Sequence, residues 1–209
     1  MGIKERRDRE KQARRREILD QAKTLFFEQG FAATSMNQIA NALELSKGTL
    51  YLYFKNKEEL YISLLVEGMA LMNQAFESSV SGMELWEEKV RALGWAYYQF
   101  ARDFPQYFYI NFQFQQGELT QKISDELYQE CFGLGFTSLS FLADAIEQGR
   151  EQGQVNTKDS MNTAVVLWAS LTGIIFLHQG KDHRKLMLAS LDDLINESIE
   201  ISVIGLKLK

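Results

Sequence analysis

The sequence predicts an all-α protein of about nine helices. Apolar residues recur at helical spacing in most segments, and the chain holds 14 glycines but a single proline, which disfavours a turn-rich sheet protein. Near the N-terminus, two short helical patterns are separated by room for only one tight turn. With 209 residues, 45% of them apolar, the chain has material for one large or two small domains with a substantial core.

Residues 1–16 carry eight Lys and Arg against three acids and no sustained apolar stripe. The first few are expected to be disordered and the rest to begin helix 1. Its buried face is Ile18, Leu19, Ala22, Leu25 and Phe26, and Gly30 is expected to end it as a left-handed C-cap. Residues 34–57 read TSMNQIANALELSKGTLYLYFKNK. A hydroxyl of Thr34 or Ser35 caps a short helix that turns Ile39, Ala40 and Leu43 to one side. Glu44, Leu45 and Ser46 allow one turn, Ser46 caps again, and Leu50 and Phe54 form an i, i+4 apolar pair. Two short helices so joined make a helix-turn-helix. Leu43, Leu45, Leu50, Leu52 and Phe54 are expected to be structural, holding these helices against helix 1. Lys47, Gly48, Thr49, Tyr51 and Tyr53 fall outside the apolar stripe, where donors and flat rings can enter a major groove.

Residues 56–80 read as one long helix capped by Asn56, with Glu58 and Glu59 opposing the dipole in its first turn and Leu60, Leu64, Leu65, Met69, Met72 and Phe76 buried. Ser81-Gly82 breaks it. A helix over 84–103 turns Trp86, Val90, Leu93, Tyr97, Phe100 and Ala101 inward, and Pro105 starts a short one rich in aromatic residues. A helix over 118–152 is expected to bury Leu119, Ile123, Leu127, Phe132, Phe136, Leu139, Leu142 and Ile146, with Gly133 and Gly135 bending it or allowing close contact. Thr157 or Asp159 caps the next helix, which runs to His178. After a turn through His183, a last helix is expected over 184–204, including Leu186, Met187, Ala189, Leu191, Leu194, Ile195, Ile199 and Ile201. Residues 164–177 are apolar almost all round, so that helix needs cover on every side. Their 14 positions are too short to span a bilayer.

The net charge of −5 hides an asymmetry: residues 1–60 sum to +3 and the remainder to −8. A basic head on an acidic body suits a polyanion at one end. The single cysteine, Cys131, excludes an intramolecular disulfide and reads as a buried small side chain. No phosphate loop, nucleophile elbow, metal-spaced cluster or signal peptide is visible, so no catalytic residue, metal or cofactor is expected, and no membrane association. His178 and His183 read as a helix-end group and a turn residue.

Thr34, the Ile39-Ala40 pair, the run SKGTLYLYFKNKEEL over 46–60 and the basic helix before them closely resemble the DNA-binding domain of the tetracycline-repressor (TetR) family of bacterial transcriptional regulators. Beyond residue 65 only helical pattern and length resemble the family's variable ligand-binding domain. The resemblance implies a DNA-binding domain over 1–57 with a basic arm, and a ligand-binding and dimerisation domain over 58–209. Residue by residue, Lys47, Thr49 and Tyr51 match base- and phosphate-contacting positions, and Gly48 permits close backbone approach. Tyr53 and Lys57 match phosphate-binding positions, and Thr34 and Asn37 would add phosphate contacts. Thr34 as a cap only and Tyr51 as a packed ring are the competing readings; for the arm, phosphate tracking competes with simple solvation. Glu44 stands where the family usually has glycine, which implies strain or rearrangement there.

The resemblance further implies that helix 4 links the DNA head to the ligand body, and that the last two helices form a four-helix homodimer interface. Trp95, Tyr98, Tyr107, Phe112, Phe114, Trp168 and Phe176 are candidates to line a pocket for a small hydrophobic effector, against the alternative that they are core. The implied function is a ligand-responsive homodimeric repressor on a palindromic double-stranded DNA operator, cytoplasmic and nucleoid-associated. The alternatives are a constitutive or architectural DNA-binding protein without effector, or an enzyme in the helical body.

Overall fold

The computed structural model describes residues 2–180 and 189–208. Among them are nine α-helices and no strand: α1 (Ile3–Gln29), α2 (Met36–Ala42), α3 (Lys47–Tyr51), α4 (Lys57–Val80), α5 (Trp86–Asp103), α6 (Pro105–Gln115), α7 (Asp125–Glu151), α8 (Ser160–Gln179) and α9 (Leu191–Leu206). They gather into two compact units, Met1–Gly68 with Gln106–Cys131, and Met69–Pro105 with Phe132–Lys209. This grouping differs from a division of the chain at residues 57 and 58. The uninterrupted helix α4 contributes its first half to one unit and its second half to the other, and α6 packs with α1 and α4 in the first.

In the first unit, α1 does not fray as expected but is helical from Ile3. Glu5 accepts from the backbone of Gly2 at 3.0 Å, and Arg6–Glu10 and Arg14–Glu17 pair along the exposed face, each at 2.8 Å. Such pairs add little individually, but a helix already nucleated by a packed half extends easily. Ile18, Ala22 and Phe26 bury that packed half. Gly30 has φ +83 and ψ 164, an extended rather than left-handed helical end. Ser35, not Thr34, caps α2: its hydroxyl accepts from the backbone of Gln38, whose side-chain oxygen accepts from the Ser35 backbone at 2.8 Å.

Between α2 and α3 the chain closes a Schellman turn. The backbone N–H of Leu45 donates to the Ala40 carbonyl at 2.9 Å, and that of Glu44 to Asn41 at 3.1 Å. This geometry forces Glu44 to φ +54, the one positive value for a non-glycine among the described residues. Ser46 then caps α3, accepting from Thr49 N at 3.0 Å. Leu50 and Phe54 are buried as the sequence predicts, whereas Leu52 is 79% exposed. Only five residues long, α3 ends at Tyr51, and the turn that follows brings Phe54 to the core and leaves Leu52 in solvent.

Asn56 caps α4, its side-chain oxygen accepting from Glu59 N at 2.6 Å. The segment after α6 departs from expectation. Gly117 (φ +80) and a 3-10 turn, Thr120–Lys122, delay α7 until Asp125, so Leu119 and Ile123 lie outside it. The phase of α7 also differs: Phe132 and Phe136, expected inward, are more than half exposed. Within the second unit its inward line carries small residues. A Cβ at Gly135 would stand 3.6 Å from the Met69 methyl, Ser138 donates to Asn73 at 2.5 Å, and a Cβ at Gly149 would come within 2.7 Å of Trp86. Close helix approach, not side-chain size, selects that face. Cys131 is buried as expected, and burial pushes its thiol up to about 12.

Also in the second unit, α5 packs against α8 and α9. Gly94 admits Ile199, whose side chain would stand 2.8 Å from an added Cβ, and Arg91 forks onto Glu200 at 2.6 and 2.9 Å. Asp159, rather than Thr157, caps α8 by accepting from Asn162 N at 2.8 Å. By length and composition α8 meets the bare criterion for spanning a membrane, beyond the 14-residue run counted in the sequence. It packs here on α5 and α9. The expected helix start at Arg184, with Leu186, Met187 and the turn residue His183, lies outside the described residues. The described α9 begins only at Leu191, because Ser190 and Asp193 form a reciprocal capping box.

Glu44→Gly should stabilise the protein by about 1 kcal/mol, since a left-handed L-residue costs roughly 1–3 kcal/mol and glycine's extra unfolded-state entropy offsets part of it. For a chain of this size that is a rise in Tm of about 2–4 °C. Glu44→Ala retains the Cβ and should give no such rise; equal melting of the two variants would refute the assignment of strain.

Candidate nucleic-acid interface

The exposed side of α3 follows from its capping. Ser46 holds the backbone of Thr49 and also bonds its hydroxyl at 2.8 Å, which turns the remaining side chains outward. Lys47 and Gly48 are exposed, and Tyr51 is 42% exposed rather than packed in the domain. The Lys47 ammonium stands 5.8 Å from the centre of the Tyr51 ring, a loose cation–π pair that keeps both groups on one face. A Cβ on Gly48 would meet only the Ser46 hydroxyl, at 3.8 Å. The fold therefore does not require glycine there. Asn37 is exposed on the first turn of α2.

The N-terminal half of α1 adds a feature that the reading of residues 1–16 as a basic arm missed. Lys4, Arg7, Lys11 and Arg14, spaced three, four and three apart, share one helix face and together with Tyr53 line an open groove of about 810 Å³. Asp8 and Glu10 sit on its edge. From Lys4 to Arg14 the cationic row is roughly 15 Å long at the helical rise of about 1.5 Å per residue. Its signal was present in the sequence as helical spacing of cations, a spacing that the reading of these residues by net charge did not use.

Two of the predicted DNA contacts turn their polar groups inward. Thr34 is only 2% exposed, and its hydroxyl donates to the carbonyls of Gly30 at 2.9 Å and Leu25 at 3.3 Å, closing the end of α1. Lys57 donates to the carbonyls of Phe31 at 2.7 Å and Thr34 at 2.9 Å, and its ammonium lies 4.2 Å from the Phe31 ring centre. With two of its three donors so occupied, Lys57 anchors the loop between α1 and α2. Next to it, Asn56 donates to the Lys122 carbonyl at 2.6 Å, and the Lys122 ammonium pairs with Glu58 at 3.1 Å. Burial works against the Glu58 carboxylate, but its own backbone N–H and Lys122 outweigh it and hold the group below its usual range.

The seven predicted effector-lining rings do not fall in one unit. Tyr107, Phe112 and Phe114 belong to the first, where Tyr107 packs against the backbone of Gly68 and sets its ring edge-on to Phe27 at 5.2 Å. Trp95, Tyr98, Trp168 and Phe176 belong to the second. There Trp95 and Tyr98 meet edge to face at 5.8 Å, and the Tyr98 hydroxyl donates to Asp192.

An all-helical chain with a capped helix-turn-helix and a cationic helix face beside it defines a DNA-binding protein of the regulator type. Residues 18–64 match the family model described as bacterial regulatory proteins, tetR family. Over these residues the chain carries the DNA-binding domain of the TetR family of bacterial transcriptional regulators. It is 28% identical over 163 residues to the uncharacterised HTH-type transcriptional regulator YhgD of Bacillus subtilis (strain 168), covering 78% of this chain and 83% of that one. Its fold matches a tetR-family regulatory protein from Rhodococcus RHA1 with a TM-score of 0.70 at 16% identity, over 93% of this chain and 97% of that one. It also matches the transcriptional regulator FadR from Bacillus subtilis in complex with stearoyl-CoA with a TM-score of 0.67 at 22% identity, over 90% and 97%.

Lys57→Met retains the aliphatic stem but leaves two carbonyls without their charged donor. It should lower unfolding stability by about 1–2 kcal/mol, as should Thr34→Val, each a lost hydrogen-bonding group in a closed site. Urea denaturation measures both. Unchanged stability of Lys57→Met combined with weaker DNA binding would return Lys57 to the phosphate-contacting set.

Proposed function

We propose that the protein is a homodimeric repressor that binds a palindromic operator and is released from it by a small hydrophobic effector. The observation that carries the DNA-binding part is the outward face of α3, Lys47, Gly48 and Tyr51, beside the cationic row of α1. Lys47, Thr49 and Tyr51 read base edges and nearby phosphates, Gly48 lets the backbone approach, and Tyr53 and Asn37 contact phosphates. Lys4, Arg7, Lys11 and Arg14 follow the flanking backbone, which makes affinity steeply salt-dependent. Two copies related by a dyad would place their α3 helices in successive major grooves, about 34–36 Å apart or a multiple of it.

Support for the dimer comes from α8 and α9, whose apolar side chains point to solvent as well as to the core. Val166 is 65% and Ile204 66% exposed, with Val165, Leu177 and Ile201 exposed nearby on the same helices. A second copy covering these helices buries that surface through a C2 operator. The stearoyl-CoA complex of the similar FadR and the rings of Trp95, Tyr98, Trp168 and Phe176 favour a ligand with a large apolar portion. Such a ligand weakens operator affinity by the same factor by which operator weakens ligand binding. The reading places the protein in the cytoplasm with its DNA, as a regulator with no cofactor.

Lys47→Ala with Tyr51→Ala should lose at least about 30-fold in operator affinity, at roughly 1–3 kcal/mol per specific contact. Helical content and melting should remain those of the parent. Full retention of specific binding in a mobility-shift titration would remove α3 as the reading helix. Val166→Glu with Ile204→Glu should give a monomer by sedimentation velocity; a dimer that persists places the interface elsewhere.

A further inference from the structure

Unit 1 contains a second recess, away from the α3 face and built between the end of α1, the loop after it, and α6. Its volume is about 410 Å³, within the range of small-molecule sites. One wall is aromatic: Phe26, Phe31 and Tyr61 stand 4.7–6.0 Å apart by ring centroids. The Lys57 ammonium over the Phe31 ring, 4.2 Å from its centre, holds that ring in the wall. Small residues keep the recess open. Ala32 and Ala33 are exposed on it, and a Cβ added at Gly30 would meet nothing within 4 Å.

The lining contains no Asp, Glu, Lys, Arg or His. Burial, and then Tyr109, push the Tyr61 phenol up to about 12, so it stays neutral while its hydroxyl donates to the Gln113 side-chain oxygen at 2.9 Å. A charged ligand would lose its hydration here without gaining a counter-ion. A flat neutral ring gains apolar burial and face or edge contact with the three rings. The Gln113 amide accepts from Tyr61 through its oxygen, and its two N–H donors can serve an acceptor on a ligand.

We infer that this recess binds an uncharged planar aromatic compound that carries a hydrogen-bond acceptor. The site depends on the ring wall and the neutral lining, and is independent of the repressor reading and of the ring set in the second unit.

The neutral naphthyl ketone 6-propionyl-2-(dimethylamino)naphthalene, whose emission brightens and shifts to the blue in apolar surroundings, is a direct probe. Titrated with the full chain it should show saturable enhancement with a Kd of roughly 10–100 μM, the range expected for a ligand of this size. Ala33→Trp and Ala32→Trp, made separately at exposed positions, fill the recess without altering its ring wall. Each folded variant, verified by circular dichroism, should bind the dye at least tenfold more weakly. Absence of saturable enhancement with the parent chain overturns the inference. So does parental affinity in both folded tryptophan variants, which would locate the dye elsewhere. Operator binding is a separate measurement, so failure of the repressor reading leaves this result interpretable.

Discussion

The ammonium of Lys57 holds together the part of the molecule from which its DNA-facing surface is built. It is the first residue of α4, and it reaches the carbonyls of Phe31 and Thr34 in the loop that ends α1 and leads into α2. Thr34 completes the closure from the other side by donating to the carbonyls of Leu25 and Gly30 at the end of α1. A helix end and a loop are thus tied by two side chains, and no buried side-chain nitrogen or oxygen among the described residues lacks a partner. Once that loop is fixed, Ser35 can cap α2, and the start of α2 fixes where the turn and α3 follow.

The reading helix is consequently short and tightly constrained at its ends. The Schellman turn accepts the strain of Glu44 because the bond from Leu45 to Ala40 satisfies a helix-end carbonyl and turns the chain sharply enough for Ser46 to cap α3 at once. Five residues give barely more than one helical turn, so Leu50 and Phe54 reach the core while Lys47, Gly48 and Tyr51 face outward. Leu52, two residues from both Leu50 and Phe54, falls on the other side and is exposed. The cationic face of α1 complements this surface because α1 is already helical well before its first buried residue, Ile18, turning a run of charge into a row.

The second unit solves a different problem, how to pack long helices closely. Glycine at 94 and 149 and serine at 138 let backbones and neighbouring side chains approach, and the fork of Arg91 on Glu200 ties α5 to α9. The apolar surface left over is concentrated on α8 and α9, where one copy of the chain leaves valine and isoleucine in solvent. Hydrophobic burial at about 25 cal/mol per Å² makes such a surface costly to leave bare.

Local chemistry made much of this protein legible before any coordinates. The number of helices, the caps at Ser46 and Asn56, the buried faces of α4 and α5, and the strain at Glu44 depend on neighbours a few residues away, which sequence records directly. The outward placement of Lys47, Gly48 and Tyr51 followed from the same short-range periodicity. Tertiary packing alone decided the rest. Thr34 and Lys57 are polar residues whose usual place is a surface, and only the long-range approach of α4 to the α1–α2 loop supplied carbonyls to turn them inward. The face of α7 was selected by backbone proximity, which favours glycine and serine and therefore defeats a search for large apolar side chains. The basic N-terminus became a row because α1 is nucleated by packing farther along its length, a cooperative effect that composition cannot express.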